Sequence, residues 1–407
     1  MQFNPAPALV MHLDINSCFA TIEQQANPTL RGRPIAVAAY NSPHGCILAA
    51  SVEAKKLGIK TGMRVKDGKS LCSDLVILTP DTAKYRFVHQ SLHQLLSFYT
   101  PNLVAKSIDE FVLNFTHTQY HDLFFVSRQI KEKIRQQIGE WLTVSIGLGP
   151  NRFLAKVASN LKKPDGLEII NIDNYQSVYS RLELMDLHGI NTHLCARLHA
   201  GNIFNVSDFL TSDISHLRSV FHSVNSYYWY LRLRGYEIDS IDFGRKSFGN
   251  MYSLPQKFSS LDKLSPVLHK LVAKTSFRLR SSGHHARGFY LGLLYSDHTF
   301  WHHRYSCPQP IFSETDVYRI FHRLLLRSPL TQKVANIAIT CFDLRQDNTT
   351  QLDLFNVISK KICLSTAMDD INRRYGSFVI SSAGMIGTQS LVPDRIGFGN
   401  IDSLTDI

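Results

Sequence analysis

The sequence lacks the features that mark membrane-spanning, secreted and zinc-binding proteins. No run approaches the roughly 20 uninterrupted apolar residues of a membrane span. The seven cysteines include no C-x-x-C pair, which argues against a zinc site and against a disulfide framework. The first residues contain no basic region followed by an apolar stretch, so we expect a cytoplasmic protein without a secretory signal.

What the chain has is length, apolar residues and positive charge. Its 407 residues are enough for about two to four domains. With 44% hydrophobic residues, intrinsic disorder over most of the length is excluded. The formal net charge of +11 indicates a polyanionic partner, although an anionic membrane surface would also attract it.

The positive charge is concentrated in one segment. Residues 244–345 hold 15 lysines and arginines but five acidic residues, a net charge of +10, and the remainder of the chain carries +1. A well-solvated basic surface would show a modest excess with interspersed acids. The segregation therefore favours a domain that follows a phosphate backbone.

Hydrophobic periodicity divides the chain into regions. Strands and helices alternate over about the first 170 residues, which predicts an α/β or α+β layer domain. Residues 174–236 show helical spacing, and a polar connector over 239–244 leads into the basic segment. That segment alternates extended runs with helices, whereas the last 60 or so residues show less pattern.

Three acidic residues stand where sheet is predicted. Asp14 ends the apolar run 8–13, and Asp109 and Glu110 interrupt an alternating strand pattern. Burying a lone carboxylate costs several kcal/mol unless it is paired or bound to a cation. If Ser107 and Ile108 form a hairpin turn, these oxygens could together hold Mg²⁺. The alternative for Asp14 is a cap on the next helix.

Five motifs, in order and spacing, resemble those of the Y-family (UmuC/DinB-like) translesion DNA polymerases, over residues 8–344. They are D-I-N-S-C-F-A, L-R-G-R-P-I-A-V, L-A-A-S-V-E-A-K-K-L-G-I-K-T-G-M, S-I-D-E-F and S-I-G-L-G-P-N-R-F-L-A-K-V-A-S-N-L-K-K-P-D-G. The resemblance implies an α+β multidomain right-hand polymerase that extends primers past damaged bases with low fidelity, in DNA repair and damage tolerance. It also implies primer-template DNA and deoxynucleoside triphosphates as substrates, and we expect a monomer.

The family layout assigns a domain to each region. It implies a catalytic palm (8–30 and 77–172), fingers (31–76), a helical thumb with a helix-hairpin-helix (173–238), a linker (239–246) and a C-terminal α/β little finger that grips DNA (247–345). The tail is 346–407.

The resemblance also implies the active-site residues. Asp14, Asp109 and Glu110 match the catalytic carboxylates that hold two Mg²⁺ ions, with the Ile15 carbonyl as a further ligand. Nucleotide contacts fall on a set at the first helix, the fingers and the palm: Ser17, Cys18, Phe19, Lys55 and Lys163.

Two of these nucleotide contacts have alternatives. Phe19 matches the bulky residue that excludes ribonucleotides; without the family context it would be a core aromatic. Lys163 matches the lysine that reaches the triphosphate; otherwise Lys162 and Lys163 form a solvated turn.

The chain departs from the family pattern in the fingers. Val52 and Lys55 stand where a tyrosine and an arginine contact the triphosphate, and Ala49 stands where a hydroxyl is common. Lysine keeps the charge of arginine but not its bidentate geometry. Two alternatives therefore remain: a weak polymerase, and an inert relative that binds DNA and the sliding clamp as a scaffold for another polymerase. A palm-fold nucleotidyl cyclase would explain neither the basic domain nor the clamp motif described next.

The resemblance assigns DNA and clamp contacts as well. The DNA contacts lie in the thumb hairpin and the basic domain: Gly189, Asn191, Arg245, Lys246, Ser247, Arg278, Arg280 and Arg287. A peptide that matches the Q-L-x-L-F motif for the bacterial sliding clamp (beta subunit) comprises Gln351, Leu352, Asp353, Leu354 and Phe355, the alternative being an amphipathic strand edge. His302 and His303 alternate on a predicted exposed strand, which we favour over a metal site. Residues 377–407 suggest no function.

Overall fold

The structure is a computed structural model that describes residues 2–240, 244–346, 356–389 and 391–393. It contains an N-terminal unit, residues 1–241, and a C-terminal unit, residues 242–394. Both units combine helices with sheets, so the predicted α+β class is confirmed. Within the described ranges, no helix has the length and apolar character needed to span a bilayer.

The N-terminal unit contains two sheets and a group of helices. Its strands are β1 (Val10–Ile15), β2 (Ile35–Ala38), β3 (Ile47–Ala50), β4 (Val76–Leu78), β5 (Leu103–Ala105), β6 (Glu110–Asn114), β7 (Val144–Gly149) and β8 (Leu167–Ile169). Its helices are α1 (Cys18–Ala26), α2 (Val52–Lys56), α3 (Val65–Leu71), α4 (Thr82–Ser97), α5 (Leu123–Gln137), α6 (Arg152–Asn160), α7 (Tyr175–Tyr179), α8 (Thr192–Ala200), α9 (Val206–Thr211), α10 (Ile214–Phe221) and α11 (Asn225–Arg232).

The larger sheet has the strand order β5-β6-β1-β7-β8. Its central strand β1 pairs antiparallel with β6 and β7, and Asp14 lies opposite both Glu110 and Ser145. Asp14 is therefore inside the strand, and the prediction that it ends the strand is wrong. The β1–β7 ladder continues one residue further, to Ile15 opposite Val144, whereas the β1–β6 ladder ends at the Asp14–Glu110 pair. Five of the six β1 residues are buried, as expected for a central strand covered on both faces.

Helix α6 lies unusually close to β7 and β1. A Cβ atom on Gly147 would overlap the carbonyl oxygen of Ala155 and the amide nitrogen of Ser159. Gly147 is opposite His12 in the β1–β7 ladder. The absence of a side chain at Gly147 therefore lets the middle of α6 approach the strand that carries Asp14.

The smaller sheet has the order β3-β2-β4 and packs with α2 and α3 around its own apolar core. Helix α2 begins after Ser51, whose hydroxyl accepts a hydrogen bond from the Ala54 amide at 3.2 Å. This cap fixes the start of the short helix that carries Lys55.

Helices α7–α11 confirm the helical pattern predicted for residues 174–236. Their core centres on aromatic rings, with Trp229 in edge-to-face contact with Phe153 of α6. The helical region is thus packed on the same helix that rests against β7.

The C-terminal unit is a four-stranded antiparallel sheet with helices. It comprises β9 (Ser247–Phe258), β10 (His284–Tyr295), β11 (Phe300–Ile311), β12 (Val334–Gln346), α12 (Leu261–Ser281), α13 (Glu314–Leu326) and α14 (Val357–Tyr375). The strand order is β11-β10-β12-β9. Apolar residues of all four strands and of α12 and α13 form one core, with Phe289 and Phe321 in edge-to-face contact.

Helix α14 lies in a region where the sequence showed little pattern. Helix α14 has no buried residue, and polar contacts connect it to the other helices. Asp369 accepts two hydrogen bonds from the Arg280 guanidinium, at 2.6 and 2.7 Å, and Lys361 pairs with Asp316 at 2.6 Å. Because none of its apolar residues is buried, the polar contacts that hold α14 could not be read from the periodicity of its sequence.

The segment after α14 also returns to α12. The Lys270 ammonium donates to the Thr388 carbonyl at 2.6 Å, and Lys274 donates to the Val392 carbonyl at 2.9 Å. Met385, which precedes Thr388 in the same segment, is buried. Two lysines counted in the basic segment are therefore bonded to tail carbonyls of the same unit.

We expect Asp369→Ala to destabilise the attachment of α14. The Arg280 and Asp369 side chains are only 14% and 15% exposed, so removing the carboxylate leaves a largely buried guanidinium unpaired. The local free energy of unfolding should fall by about 2–3 kcal/mol. Hydrogen exchange of the α14 and α12 amides in the full chain measures this loss.

Asp370→Ala is the matched control, because Asp370 is 59% exposed and pairs only along the helix with Arg373. Its effect should stay below about 0.5 kcal/mol. Equal acceleration of exchange in both variants would contradict the structural role of the Arg280–Asp369 pair.

Candidate active site

The register of β1 and β6 places two of the three predicted carboxylates side by side. Asp14 and Glu110 are directly opposite each other. The chain turns between β5 and β6, where the Lys106 amide donates to the Glu110 carbonyl at 2.8 Å. Asp109 lies at the end of this turn, and its carbonyl accepts from the Ile15 amide at 3.0 Å. The hairpin turn expected at Ser107 and Ile108 is confirmed.

Burial makes it costly to ionise two of these acids. The pKa of Asp14 is raised because the carboxyl is largely buried, although the Lys163 ammonium at 2.8 Å partly opposes the shift. Burial likewise raises the pKa of Asp109, and the charges of Asp14 and Glu110 add to it, while a hydrogen bond from the Ser107 hydroxyl opposes it. A divalent cation would offset this repulsion, and carboxylate oxygens are the ligands that Mg²⁺ prefers.

Glu110 differs from the other two acids. Both of its carboxylate oxygens accept hydrogen bonds from the Lys156 ammonium, at 2.8 and 2.7 Å. Burial opposes ionisation, but the Lys156 hydrogen bond and nearby positive charge outweigh it and lower the pKa of Glu110. Glu110 is therefore ionised at neutral pH and paired with α6.

A histidine that the sequence analysis did not select adjoins these acids. Burial lowers the pKa of His12 to about 3, so the imidazole is neutral. Its Nε2 atom is buried without a hydrogen-bond partner among the described residues. Single ligand atoms of His12, Asp14 and Glu110 all lie within 4.8 Å of one another, whereas Asp109 is outside that compact group.

Two lysines predicted to contact the nucleotide converge on the same carboxylates. Lys163 pairs with Asp14, while its neighbour Lys162 is 73% exposed and pairs with Glu168. The pKa of Lys55 is lowered, mainly by burial and then by the charge of Lys163, with Asp14 and Asp109 opposing the shift. The structure thus distinguishes Lys163, which the resemblance selected, from Lys162.

The start of α1 positions the predicted nucleotide-contact residues Ser17, Cys18 and Phe19. Ser17 adopts a left-handed conformation with φ of 52° and its buried hydroxyl lacks a hydrogen-bond partner among the described residues. Burial raises the pKa of the Cys18 thiol. The Phe19 ring is stacked on Tyr85 of α4, with ring centres 4.3 Å apart. The Tyr85 hydroxyl in turn donates to Glu23 at 2.9 Å.

The two predicted DNA contacts of the thumb, Gly189 and Asn191, adopt different backbone conformations. Gly189 has a left-handed φ of 99°, but Asn191 is extended, with φ of −102° and ψ of 176°. The Asn191 side chain accepts a hydrogen bond from the Leu194 amide at 2.9 Å and so caps α8. Capping of α8 therefore accounts for an asparagine at this position.

The predicted DNA contacts of the C-terminal unit differ in exposure and in their partners within the unit. Lys246 and Ser247 are exposed at the start of β9, with half-buried Arg245 beside them. Arg278 and Arg287 each donate a hydrogen bond to a backbone carbonyl, of Gly249 and Cys307 respectively, both at 3.2 Å.

Arg280 is bonded to Asp369 and to the Phe312 carbonyl. A phosphate contact by Arg280 stays a prediction, in which phosphate would compete with Asp369 and the Phe312 carbonyl for the guanidinium.

His302 and His303 lie on β11, with His302 exposed and His303 half-buried, as an edge strand predicts. Neither belongs to a group of metal-capable side chains in the described ranges. The clamp-motif residues 351–355 are outside the described residues.

Lys156, His12 and Tyr85 are the site residues that sequence reasoning missed. Counting by two from Asp14 along the strand would have placed His12 on the same face. Lys156 lies in the fifth motif shared with the family, but the resemblance assigned no role to this lysine. Tyr85 offered no local signal, because its contact with Phe19 joins separate helices.

The comparisons with known proteins agree with this geometry. Residues 13–160 match the model of the impB/mucB/samB family, and residues 245–354 match the model of that family's C-terminal domain. Relatives include DNA polymerase IV 1 of Bacillus subtilis, 28% identical over 91% of this chain and 92% of the relative. Another is DNA polymerase IV of Moorella thermoacetica, 29% identical over 92% of this chain and 95% of the relative.

Solved structures share the fold. A Y-family DNA polymerase chimera of Dbh and Dpo4 has a TM-score of 0.72 at 23% identity, covering 82% of this chain and 98% of the chimera. An insertion ternary complex of Dbh DNA polymerase has a TM-score of 0.58 at 23% identity, with the same coverage.

Proposed function

Because the chain belongs to the impB/mucB/samB family of Y-family, DinB-like proteins, it is a DNA-directed DNA polymerase of the translesion class, and we propose that Asp14, Asp109 and Glu110 form its catalytic centre. The observation that carries the proposal is the β1–β6 register, which sets Asp14 against Glu110, together with the turn that brings Asp109 to Ile15. The alternative, an inert scaffold, is not favoured.

The enzyme is expected to use divalent metal, and the finer proposal is two Mg²⁺ ions. The buried carboxylates supply the hard oxygen ligands that fit such ions, and the Ile15 carbonyl, at the end of β1, would be a further one. When bound, the two ions would activate the primer 3′-hydroxyl and stabilise the leaving pyrophosphate. Asp14 and Glu110 each have a lysine partner that balances their charge until then.

Lys55 and Lys163 would bind the nucleotide phosphates. The charges of Lys163, Asp14 and Asp109 all affect the pKa of Lys55, which means that the two lysines and the acids are close together. The two ammonium groups therefore border the place where a triphosphate would lie. Val52 and Ala49 contribute no hydroxyl there. Nucleotide recognition would therefore rest on point charges more than on directional hydrogen bonds.

Phe19 would exclude ribonucleotides. Its ring follows Asp14 by five residues and is fixed against Tyr85, which Glu23 holds in turn. A 2′-hydroxyl would meet a ring that cannot move aside without disturbing this stack.

The C-terminal unit would bind the DNA duplex as the little finger. Its exposed Lys246 and Ser247, with Arg245, Arg278 and Arg287, are the proposed backbone contacts. In the N-terminal unit, Gly189 and Asn191 would contribute a further contact through the start of α8. The palm, fingers, thumb and little-finger boundaries given above are kept as proposals.

The clamp contact is proposed from sequence alone. Gln351, Leu352, Asp353, Leu354 and Phe355 match a peptide that would bury two leucines and a phenylalanine in an apolar groove. Tethering through such a peptide would raise the local concentration of the polymerase at the primer end.

The central test is primer extension with Mg²⁺ on undamaged and abasic templates. Asp109→Ala should reduce the rate by about a hundred- to a thousandfold, because it removes a ligand whose charge stabilises the transition state. Asp67→Ala, at an exposed position on α3, should leave the rate unchanged. Absence of extension by the wild type with every divalent cation would refute polymerase activity.

Phe19→Ala should relax sugar discrimination. Removing the ring should raise ribonucleotide incorporation relative to deoxynucleotides by roughly ten- to a hundredfold. Single-nucleotide insertion kinetics with both sugars measure the ratio. The control is Tyr85→Phe, which keeps the stacked ring but loses the Glu23 hydrogen bond and should discriminate between the sugars as the wild type does. An unchanged ratio in Phe19→Ala would refute the role of Phe19 in excluding ribonucleotides.

Deletion of residues 351–355 should abolish stimulation by the sliding clamp while distributive extension is retained. The physical reason is loss of tethering without any change at the carboxylates. Extension with and without loaded clamp gives both quantities. Alanine substitution of residues 347–350 is the control; equal loss of both activities on deletion would mean that the segment is structural.

A further inference from the structure

His12 stands out among the buried polar side chains because no reaction step proposed above uses it. It lies on β1 two residues before Asp14, so both side chains are on the same face of the sheet. Its cross-strand partners are Val112 and Gly147, and Glu110 is its diagonal neighbour across β6.

The burial of His12 follows from the close approach of α6. Gly147, opposite His12, presents no side chain, and α6 covers the strand there. The His12 side chain is only 3% exposed, yet Nε2 has no hydrogen-bond partner in the part of the chain that the structure describes. An unpaired polar atom in such a place costs roughly 1–3 kcal/mol, so its orientation calls for an explanation.

A bond to Glu110 does not supply that explanation. The nearest approach of Nε2 to a Glu110 oxygen is 3.7 Å, too long for a hydrogen bond. Lys156 already donates to both Glu110 oxygens. The imidazole nitrogen therefore faces two carboxylates without bonding to either.

The distances instead fit a shared cation. Ligand atoms about 2.2 Å from one ion lie roughly 3.1 Å apart when adjacent and about 4.4 Å apart when opposite. The Nε2–Glu110 separation of 3.7 Å falls within this range. The ligand atoms of His12, Asp14 and Glu110 form one group within 4.8 Å, a bound slightly wider than the range, so small side-chain movements would complete the geometry. The imidazole and two carboxylates form a mixed nitrogen and oxygen ligand set.

We propose that His12 Nε2 is a nitrogen ligand in the metal centre and makes the Asp14–Glu110 position prefer Mn²⁺ and related transition metals over Mg²⁺. The inference rests on the proposed function only in placing a metal at these carboxylates. Imidazole nitrogen binds first-row transition metals well, whereas Mg²⁺ prefers oxygen and retains water. Glu110 would serve as a ligand through an oxygen that now accepts from the Lys156 ammonium at 2.7 Å, so Lys156 would give up that contact when a metal is held there.

The test uses the full-length protein with Mn²⁺ alone. Pulsed electron paramagnetic resonance on protein labelled with ¹⁵N only at histidine should show a ¹⁵N coupling of a directly bound imidazole, without any substitution that could disturb folding. His12→Leu should remove the coupling and weaken Mn²⁺ binding at least about tenfold, with Mg²⁺ binding changed less than about threefold. The Mg²⁺ affinity is obtained by competition against Mn²⁺.

His188→Ala is the matched control, since His188 also lies near Glu110 and Lys156 but outside the three-residue group. It should keep the coupling. Absence of a ¹⁵N coupling in the wild type, or its persistence in His12→Leu, would overturn the inference. Primer extension with Mg²⁺, run in parallel, separates this result from the proposed function: extension without a ¹⁵N coupling refutes the role of His12 alone.

Discussion

The antiparallel pairing of β1 with β6 is the constraint on which the site depends. It brings Asp14 and Glu110 to adjacent positions in a largely buried sheet, where two carboxylates repel each other and lose hydration. Elements far apart in sequence offset that cost. Lys163 follows the turn after α6, Lys156 is on α6 itself, and Lys55 is on α2, the helix that packs with the smaller sheet. Three acids and three lysines therefore form a centre whose formal charges cancel. A nucleotide carries about four negative charges, and two divalent cations bound with it would balance them, so the centre would stay neutral.

The C-terminal unit handles its charge in a different way. The net charge of +10 over residues 244–345 predicted a domain that follows a phosphate backbone. In the structure, Arg280 is neutralised by Asp369, and Lys270 and Lys274 donate to carbonyls of the tail. Part of the positive charge therefore holds the tail on α12, and the exposed residues at the start of β9 remain for a polyanion. The count of charges predicted the partner correctly in kind but overstated how many basic residues could reach it.

Sequence reasoning succeeded where local pattern determines structure. Helices α4, α5, α12 and α13 and the strands around the acids have clear periodicity, and the structure confirms them. It failed where long-range contacts decide. Asp14 was placed at the end of β1 because a carboxylate interrupts an apolar run, but pairing with β7 carries the strand one residue past it, to Ile15. Helix α14 is held by ion pairs and none of its residues is buried, so its contacts could not be read from periodicity. The family resemblance selected Lys163, but the ion pair of this lysine with Asp14 depended on the three-dimensional path of the chain.

Gly147 shows how a residue without functional groups can govern the electrostatics of an active site. Any side chain there would push α6 away from β7. Lys156 would move with the helix, Glu110 would lose its ammonium partner, and water would reach His12. A single added methyl group would thus remove a hydrogen bond that helps to lower the pKa of an acid on a different strand. Over evolutionary time, positions 12, 110, 147 and 156 should accordingly accept substitutions only in concert, as one inherited unit spread over four elements of the chain.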